Sequence, residues 1–350
     1  MYGEATSNFT LVTNSQYADA FVIEDMSYGS TSILSFEDGE DFAALLRGTP
    51  DDAHVLTALP DCLVHSVAPE VLGNRKLLIM ACRSGRTSLE AIDHFLRAGE
   101  TTDPSEQEAF AESFFAAGEA AEYLEIIDEE YGTRARFNHL HPSYEWHEQL
   151  GVLAPGDQQV FPSGEIACFL VPLKVKELDQ RVSFDVEGKL TLRGRLIVQS
   201  GPPSFLVEDQ ERIYERLSTM AEHAVVVDVK EGDIVSVEPT HEHARPAADM
   251  LEALFSVDSR FSRIYEFGFA FNPHVTPWPG NTAMNEVCGG ESGQLHAGLG
   301  MLPHTQYHID VFLEGTKIVD HTGSVVFGGQ STGRQMQRRR AASCPCMLSF

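Results

Sequence analysis

The segment 76–82, KLLIMAC, most restricts what this chain can fold into. It is apolar at every position after the lysine, so it has no face for water. A strand of that kind belongs inside a sheet that is covered on both sides. Directly after it, Leu89, Ile92, Phe95 and Leu96 recur at helical spacing across 87–98, with Ser84 or Thr87 placed to cap the helix. Strand, short loop and helix in that order are the α/β signature. The loop Arg83-Ser84-Gly85-Arg86 then falls at the carboxyl end of a strand, where such folds take ligands. RSGR lacks the glycine spacing of a dinucleotide or phosphate loop, so a ligand contact through Arg83 or Arg86 and a plain surface loop both fit it.

The flanking segments extend this pattern. Strands are expected at 21–23, 32–36 and 53–59, with a short helix at 41–47. A long acidic helix is expected over 106–131, because Phe110, Phe114, Ala117, Ala121, Leu124 and Ile127 form one stripe. Residues 137–148 hold His139, His141 and His147 around Pro142 without periodicity and read as a loop. From 160 the texture changes to glycine-punctuated strands at 161–172, 182–186, 190–198 and 205–207. A helix at 210–224, a hairpin at 225–237, a helix at 247–255 and two short strands within 316–327 follow. The division expected is an N-terminal sandwich-like α/β domain over 1–155 and a mixed-sheet α+β domain over 156–330. A flexible basic tail, 331–350, carries Arg338, Arg339 and Arg340 and the Cys344-Pro345-Cys346 triplet.

Charge narrows the partners. The chain has 52 acidic against 25 basic side chains, a net charge of −27, which argues against nucleic acid and anionic membranes as ligands. No apolar run approaches the roughly 20 residues that span a bilayer, and the N-terminus shows no signal-peptide pattern. Six scattered cysteines in a chain of 350 residues read as reduced thiols in a cytoplasmic protein.

The chemistry gathers between 266 and 310. His308 and Asp310 form an H-x-D pair, and strand alternation points both side chains to one face. His296 lies within 15 positions of them, and together the three make a two-histidine, one-carboxylate face suited to Fe(II). Glu266 stands between aromatic residues, where an unpaired charge would be costly, and so calls for a cation. Glu165, at the start of an apolar run, adds a further carboxylate. His241, His243, His274, His304 and His321 lie in no supporting pattern.

Taken in order, PSGEIACFLVP, YEFGFAFNP, ESGQLHAGLG and YHIDVFLEG resemble the C-terminal half of the thermophilic metallo-aminopeptidases. A related group of similar fold is the dihydroxypyridine ring-opening dioxygenases. The resemblance implies Glu165, Glu266, His296, His308 and Asp310 as metal ligands, and Glu165 and Glu291 as candidate acid/base groups. It implies a divalent metal, Zn, Co or Mn, and a hydrolase acting on a peptide or amide bond. Alternatively one Fe(II), held by His308, Asp310 and either His296 or Glu266, would open an aromatic ring. A third reading is a non-catalytic member that binds a peptide or protein partner in a natural-product pathway. A small peptide or small-molecule substrate and a homodimer go with the enzymatic readings.

Overall fold

The structure, a computed structural model, describes residues 1–24, 27–85, 87–170, 183–200, 207–279, 284–289, 293–302, 304–326 and 338–340. Three sheets carry the α/β fold. The first has the order β2 (Ser30–Ser35), β1 (Asn8–Thr13), β3 (His54–Ala58), β4 (Lys76–Met80) and β8 (Gln158–Phe161), all parallel. The KLLIMAC run is its β4, inside the sheet as its apolarity requires. Alternating residues of these strands enter two separate cores. Leu11, Leu56 and Leu78 pack on α3 (Leu89–Thr101), while Val12, Val55, Leu77 and Ile79 pack toward α1 (Phe42–Arg47) and α2 (Pro69–Leu72). Helix α3 is capped by Ser88, whose side chain accepts from the Ala91 N–H, rather than by Ser84 or Thr87.

The second sheet runs β13 (Asp233–Pro239), β12 (Val225–Lys230), β10 (Val186–Leu192), β6 (Thr133–Phe137), β5 (Leu124–Asp128) and β17 (Lys317–Asp320), all antiparallel. The third runs β11 (Leu196–Ser200), β16 (Tyr307–Phe312), β15 (Gln294–Leu299), β14 (Ile264–Ala270), β9 (Glu165–Leu170), β7 (Tyr144–Gln149) and β18 (Arg338–Arg340). One face of this third sheet joins a large core with the second sheet and with α4 (Pro104–Ala120), α5 (Val207–Leu217) and α6 (Arg245–Val257). Within that core Phe114 lies 4.8 Å from Phe269 and 5.7 Å from Trp146 by ring centroid, in tilted arrangements favourable to aromatic pairs.

Several expectations are corrected. The helix expected over 106–131 ends at Ala120, and the stripe it seemed to continue, Leu124 and Ile127, belongs to β5. Leu124 falls on the buried face of β5 and Ile127 on its half-buried face, so their three-residue step only imitated helical spacing. The 137–148 segment is not all loop: Tyr144–Gln149 is a buried strand, and His139 is a core residue whose Nε2 lies 2.8 Å from the Gly118 carbonyl. Residues 21–23 form no strand. Strand pairing also crosses the division expected at 155. Strands β5, β6 and β7 pair with strands from beyond it, and β8 joins the N-terminal sheet. In the tail, β18 lies parallel to β7, while Cys344 and Cys346 lie outside the described residues. Among the described residues no helix is long and apolar enough to cross a membrane.

One core group makes stability depend on acid. His54 is fully buried, its ring stacked on Tyr2 with centroids 4.6 Å apart, and its Nδ1 lies 2.8 Å from the Tyr28 hydroxyl. Burial, aided by Lys76, lowers its pKa to about 4. The unfolded histidine titrates near 6.5, so between those values the unfolded chain binds more protons, and stability falls as pH drops through that window. A shift of that size corresponds to roughly 3 kcal/mol. His54→Phe keeps an aromatic ring against Tyr2 and removes the titration. Urea unfolding should show the variant losing less stability than the wild type between pH 7 and pH 4.

Candidate metal centre

The register of the third sheet explains why donors and glycines alternate in EFG and HAG. Glu266 of β14 pairs with Gly298 of β15, and Gly298 pairs with Asp310 of β16. Gly268 of β14 pairs with His296 of β15 on one side and Ala167 of β9 on the other, and Ala270 pairs with Glu165. Side chains that belong to non-adjacent strands therefore meet over a glycine on the strand between them. His296 Nε2 reaches Glu165 Oε1, 3.1 Å away, across Gly268. His308 Nε2 lies 2.9 Å from Glu266 Oε2 and 2.8 Å from Asp310 Oδ1, beside Gly298.

The glycines are needed for want of room rather than for backbone freedom. A Cβ on Gly268 would stand 2.0 Å from His296 Nε2 and 2.4 Å from Glu165 Oε1. On Gly298 it would stand 2.7 Å from His308 Cε1 and 2.8 Å from the Glu266 Cβ.

A sixth group completes the cluster, and the sequence reading passed over it. Glu286 is 8% exposed, with Oε1 3.9 Å from His296 Nε2. It comes from an irregular segment that the side chain of Asn285 pins to Trp278, accepting from the Trp278 N–H at 2.8 Å and donating to its carbonyl at 3.0 Å. No periodicity marks such a segment. Its only signals were an unexplained acid ten positions before His296 and the glycines that follow. Glu291, the expected acid/base group, lies outside the described residues.

The donors fall into two sets that share Glu266: Glu165, Glu266, Glu286 and His296, and Glu266, His308 and Asp310. All of them are buried. Glu165 Oε1, both Glu266 oxygens, Glu286 Oε1, His296 Nε2, His308 Nε2 and Asp310 Oδ1 have no hydrogen-bond partner. On Glu165, Asp310 and His308 the other atom is tied back. The His308 Nδ1 lies 2.8 Å from the Gly300 carbonyl, which leaves Nε2 as the ring nitrogen facing the cluster. Gln149 donates to Glu165 Oε2 at 3.2 Å, and Gln199 donates to Asp310 Oδ2 at 3.4 Å.

Electrostatics favour a cation here. Burial raises the Glu165 pKa and, with Glu165 and Asp310 nearby, pushes that of Glu286 far up. Burial acts the same way on Glu266, but the His296 and His308 imidazoles beside it outweigh it and lower its pKa. Both imidazoles are pushed well above the usual histidine range, against their burial, by the carboxylates around them. Without a cation, then, the cluster must take up protons. Four carboxylates against two imidazoles is an excess of negative charge that a dry interior does not tolerate. Two divalent ions with neutral imidazoles would balance it, and nitrogen and carboxylate donors suit Zn, Co, Mn or Fe(II). The residues fit a metal centre.

A cleft of about 1050 Å³ lined by Tyr2, Phe9, Leu56, Leu78, His94 and Trp278 includes none of these donors. It lies against the Leu11–Leu56–Leu78 side of the parallel sheet, whereas Ala167 and Phe169 of β9 pack on the other side. Its size carries no chemistry. Arg83 sits in a short turn after β4, and Arg86 lies outside the described residues.

No family model matches the chain, and no curated protein does. Among solved structures it is similar to 2,5-dihydroxypyridine dioxygenase from Pseudomonas putida KT2440, with a TM-score of 0.56 at 15% identity, covering 95% of this chain and 93% of that one. It also matches wild-type AmpT from Thermus thermophilus, with a TM-score of 0.43 at 13% identity, covering 96% and 94%. The first of these is one of the two groups named from the motifs. The first likeness establishes a common fold over nearly the whole chain, where the motifs covered only the C-terminal half.

Proposed function

We propose that this protein is a metal-dependent hydrolase that cleaves a peptide or amide bond with two divalent ions held side by side. The observation that carries this reading is the position of Glu266. Its Oε1 is 3.9 Å from His296 Nε2 and its Oε2 is 2.9 Å from His308 Nε2, so one carboxylate serves both donor sets. Glu165 and His296 would hold one ion with it, and His308 and Asp310 the other. Bound there, the pair would supply Lewis acidity toward a carbonyl oxygen and a more acidic water.

The protein's own part is positioning and proton transfer. Gln149, Gln199 and the Gly300 carbonyl keep Glu165, Asp310 and His308 aimed at the cluster. Glu286 rides on a turn rather than a strand, beside His296, and takes the acid/base role first given to Glu291 or Glu165. The apolar second and third sheets exclude bulk water from beneath the site.

A second reading rests on the likeness in fold to the dihydroxypyridine dioxygenase. There a single Fe(II) would sit on His308, Asp310 and either His296 or Glu266, and would take an aromatic diol as substrate. Metal content of chelator-free protein separates the two readings. Two ions per chain, with amine release from leucyl anilide or leucyl peptides on adding Zn(II), Co(II) or Mn(II), is the expected result. One iron, with oxygen uptake on dihydroxylated N-heterocycles and no anilide cleavage, would replace the hydrolase by the dioxygenase.

A further inference from the structure

A second group of metal donors lies on a different sheet, among histidines that no sequence pattern supported. His223 precedes β12 and His241 follows β13, and the antiparallel register pairs Val225 with Pro239. The open end of this hairpin is locked. The Thr240 N–H and hydroxyl both donate to the Ala224 carbonyl, at 2.9 and 2.7 Å. That lock sets His223 beside His241, whose rings stack with centroids 4.2 Å apart. Residues Glu242–Ala244 then make a single tight turn capped by the His241 side chain, which brings the His243 ring to 4.8 Å from His241 and 5.3 Å from His223.

We propose that His223, His241 and His243 form a surface site for a divalent transition-metal ion of imidazole preference, Zn(II) or Cu(II), separate from the buried centre. One nitrogen from each ring lies within 4.8 Å of the others. Zn–N bonds of about 2.0–2.1 Å place tetrahedral donors about 3.3 Å apart, so the rings must close by a small rotation. His241 and His243 are exposed and His223 is half-buried, so their side chains are free to make it. Three neutral imidazoles and one water complete a four-coordinate ion. Glu222 and Glu242, exposed in the same segments of a chain of net charge −27, draw cations toward the site. Binding through His241 Nε2 moves that ring's proton to Nδ1 and gives up one weak contact, the 3.2 Å bond from the His243 N–H. No net proton is released by this shift.

Bound, the ion would cross-link the two ends of the edge hairpin to the turn that enters α6. The experiment is Zn(II) equilibrium dialysis of the full chain with its buried centre already loaded, comparing wild type with His223→Ala and His243→Ala. Cu(II) electron paramagnetic resonance then counts the nitrogen ligands. The expected result is one further Zn(II) per wild-type chain, bound on the order of 100-fold or more weaker in either variant, with three nitrogens coupled to Cu(II) in the wild type only. Metal in the buried centre should stay unchanged in both variants, which also reports that they fold. Absence of a further ion in the wild type, or unchanged affinity in His223→Ala and His243→Ala, would overturn the site and leave the three rings as a stacked surface cluster.

Discussion

Glu266→Gln is expected to remove both ions from the buried centre, whereas His308→Ala should remove one. The difference follows from geometry. Glu266 faces His296 with one oxygen and His308 with the other, so a neutral amide there weakens both donor sets at once. His308 belongs only to the set with Glu266 and Asp310. Loss of groups that merely support a ligand costs about 10–100-fold in metal affinity, so loss of the shared ligand should exceed 100-fold. Metal analysis by mass spectrometry reads the stoichiometry, and turnover should fall with it. Added Zn(II) should raise the thermal midpoint of the wild type, since a ligand that binds only the folded state stabilises it by mass action. The same addition should leave the Glu266→Gln midpoint nearly unmoved. Two ions retained in Glu266→Gln would mean that the carboxylate is not shared, and the two-ion hydrolase would go with it.

The second large effect needs no change of a donor. Gly268→Ala and Gly298→Ala add one methyl group each, to strands whose backbone conformation accepts alanine. At Gly268 the methyl carbon would stand 2.0 Å from His296 Nε2, far inside contact distance, and at Gly298 2.8 Å from the Glu266 Cβ. Something must move, and both neighbours are donors. Overpacking of this kind costs about 1–3 kcal/mol. Metal affinity should suffer more than stability, because a displacement that the core absorbs still spoils a coordination geometry. Dialysis against Zn(II) and urea unfolding, run side by side, check this. A Gly268→Ala protein that binds metal like the wild type would show that the donors do not meet over β14.

What was legible in the sequence divides along physical lines. His308 and Asp310 could be placed on one face from alternation alone, and β16 does carry them that way. KLLIMAC announced a strand covered on both sides because its composition admits nothing else. The partnership of Glu165, Glu266 and His296 was not readable from spacing and came from the order of four motifs. Its reason is the diagonal meeting of side chains over Gly268, which exists only once β9, β14 and β15 are in register. Glu286 was missed because irregular backbone leaves no period, and what fixes it, Asn285 against Trp278, is a tertiary contact. The surface histidines were passed over for a related reason. His223 and His241 are neighbours only through a hairpin closure that places residues 18 apart side by side (241 − 223 = 18).

The order in which strands enter the third sheet has a consequence for synthesis on the ribosome. The parallel sheet is complete once β8 has emerged, with residue 161. The donor face is not. Glu165 is made early, but its neighbour strand β14 comes about a hundred residues later, and His308 and Asp310 are 143 and 145 residues behind it (308 − 165 and 310 − 165). Long-range antiparallel pairing of this kind forms slowly. A nascent chain therefore carries a finished N-terminal sheet while β9, paired with β7 alone, still lacks the neighbour that brings the other donors. Loading of both ions would then be a late event of maturation, open only to chains translated through β16.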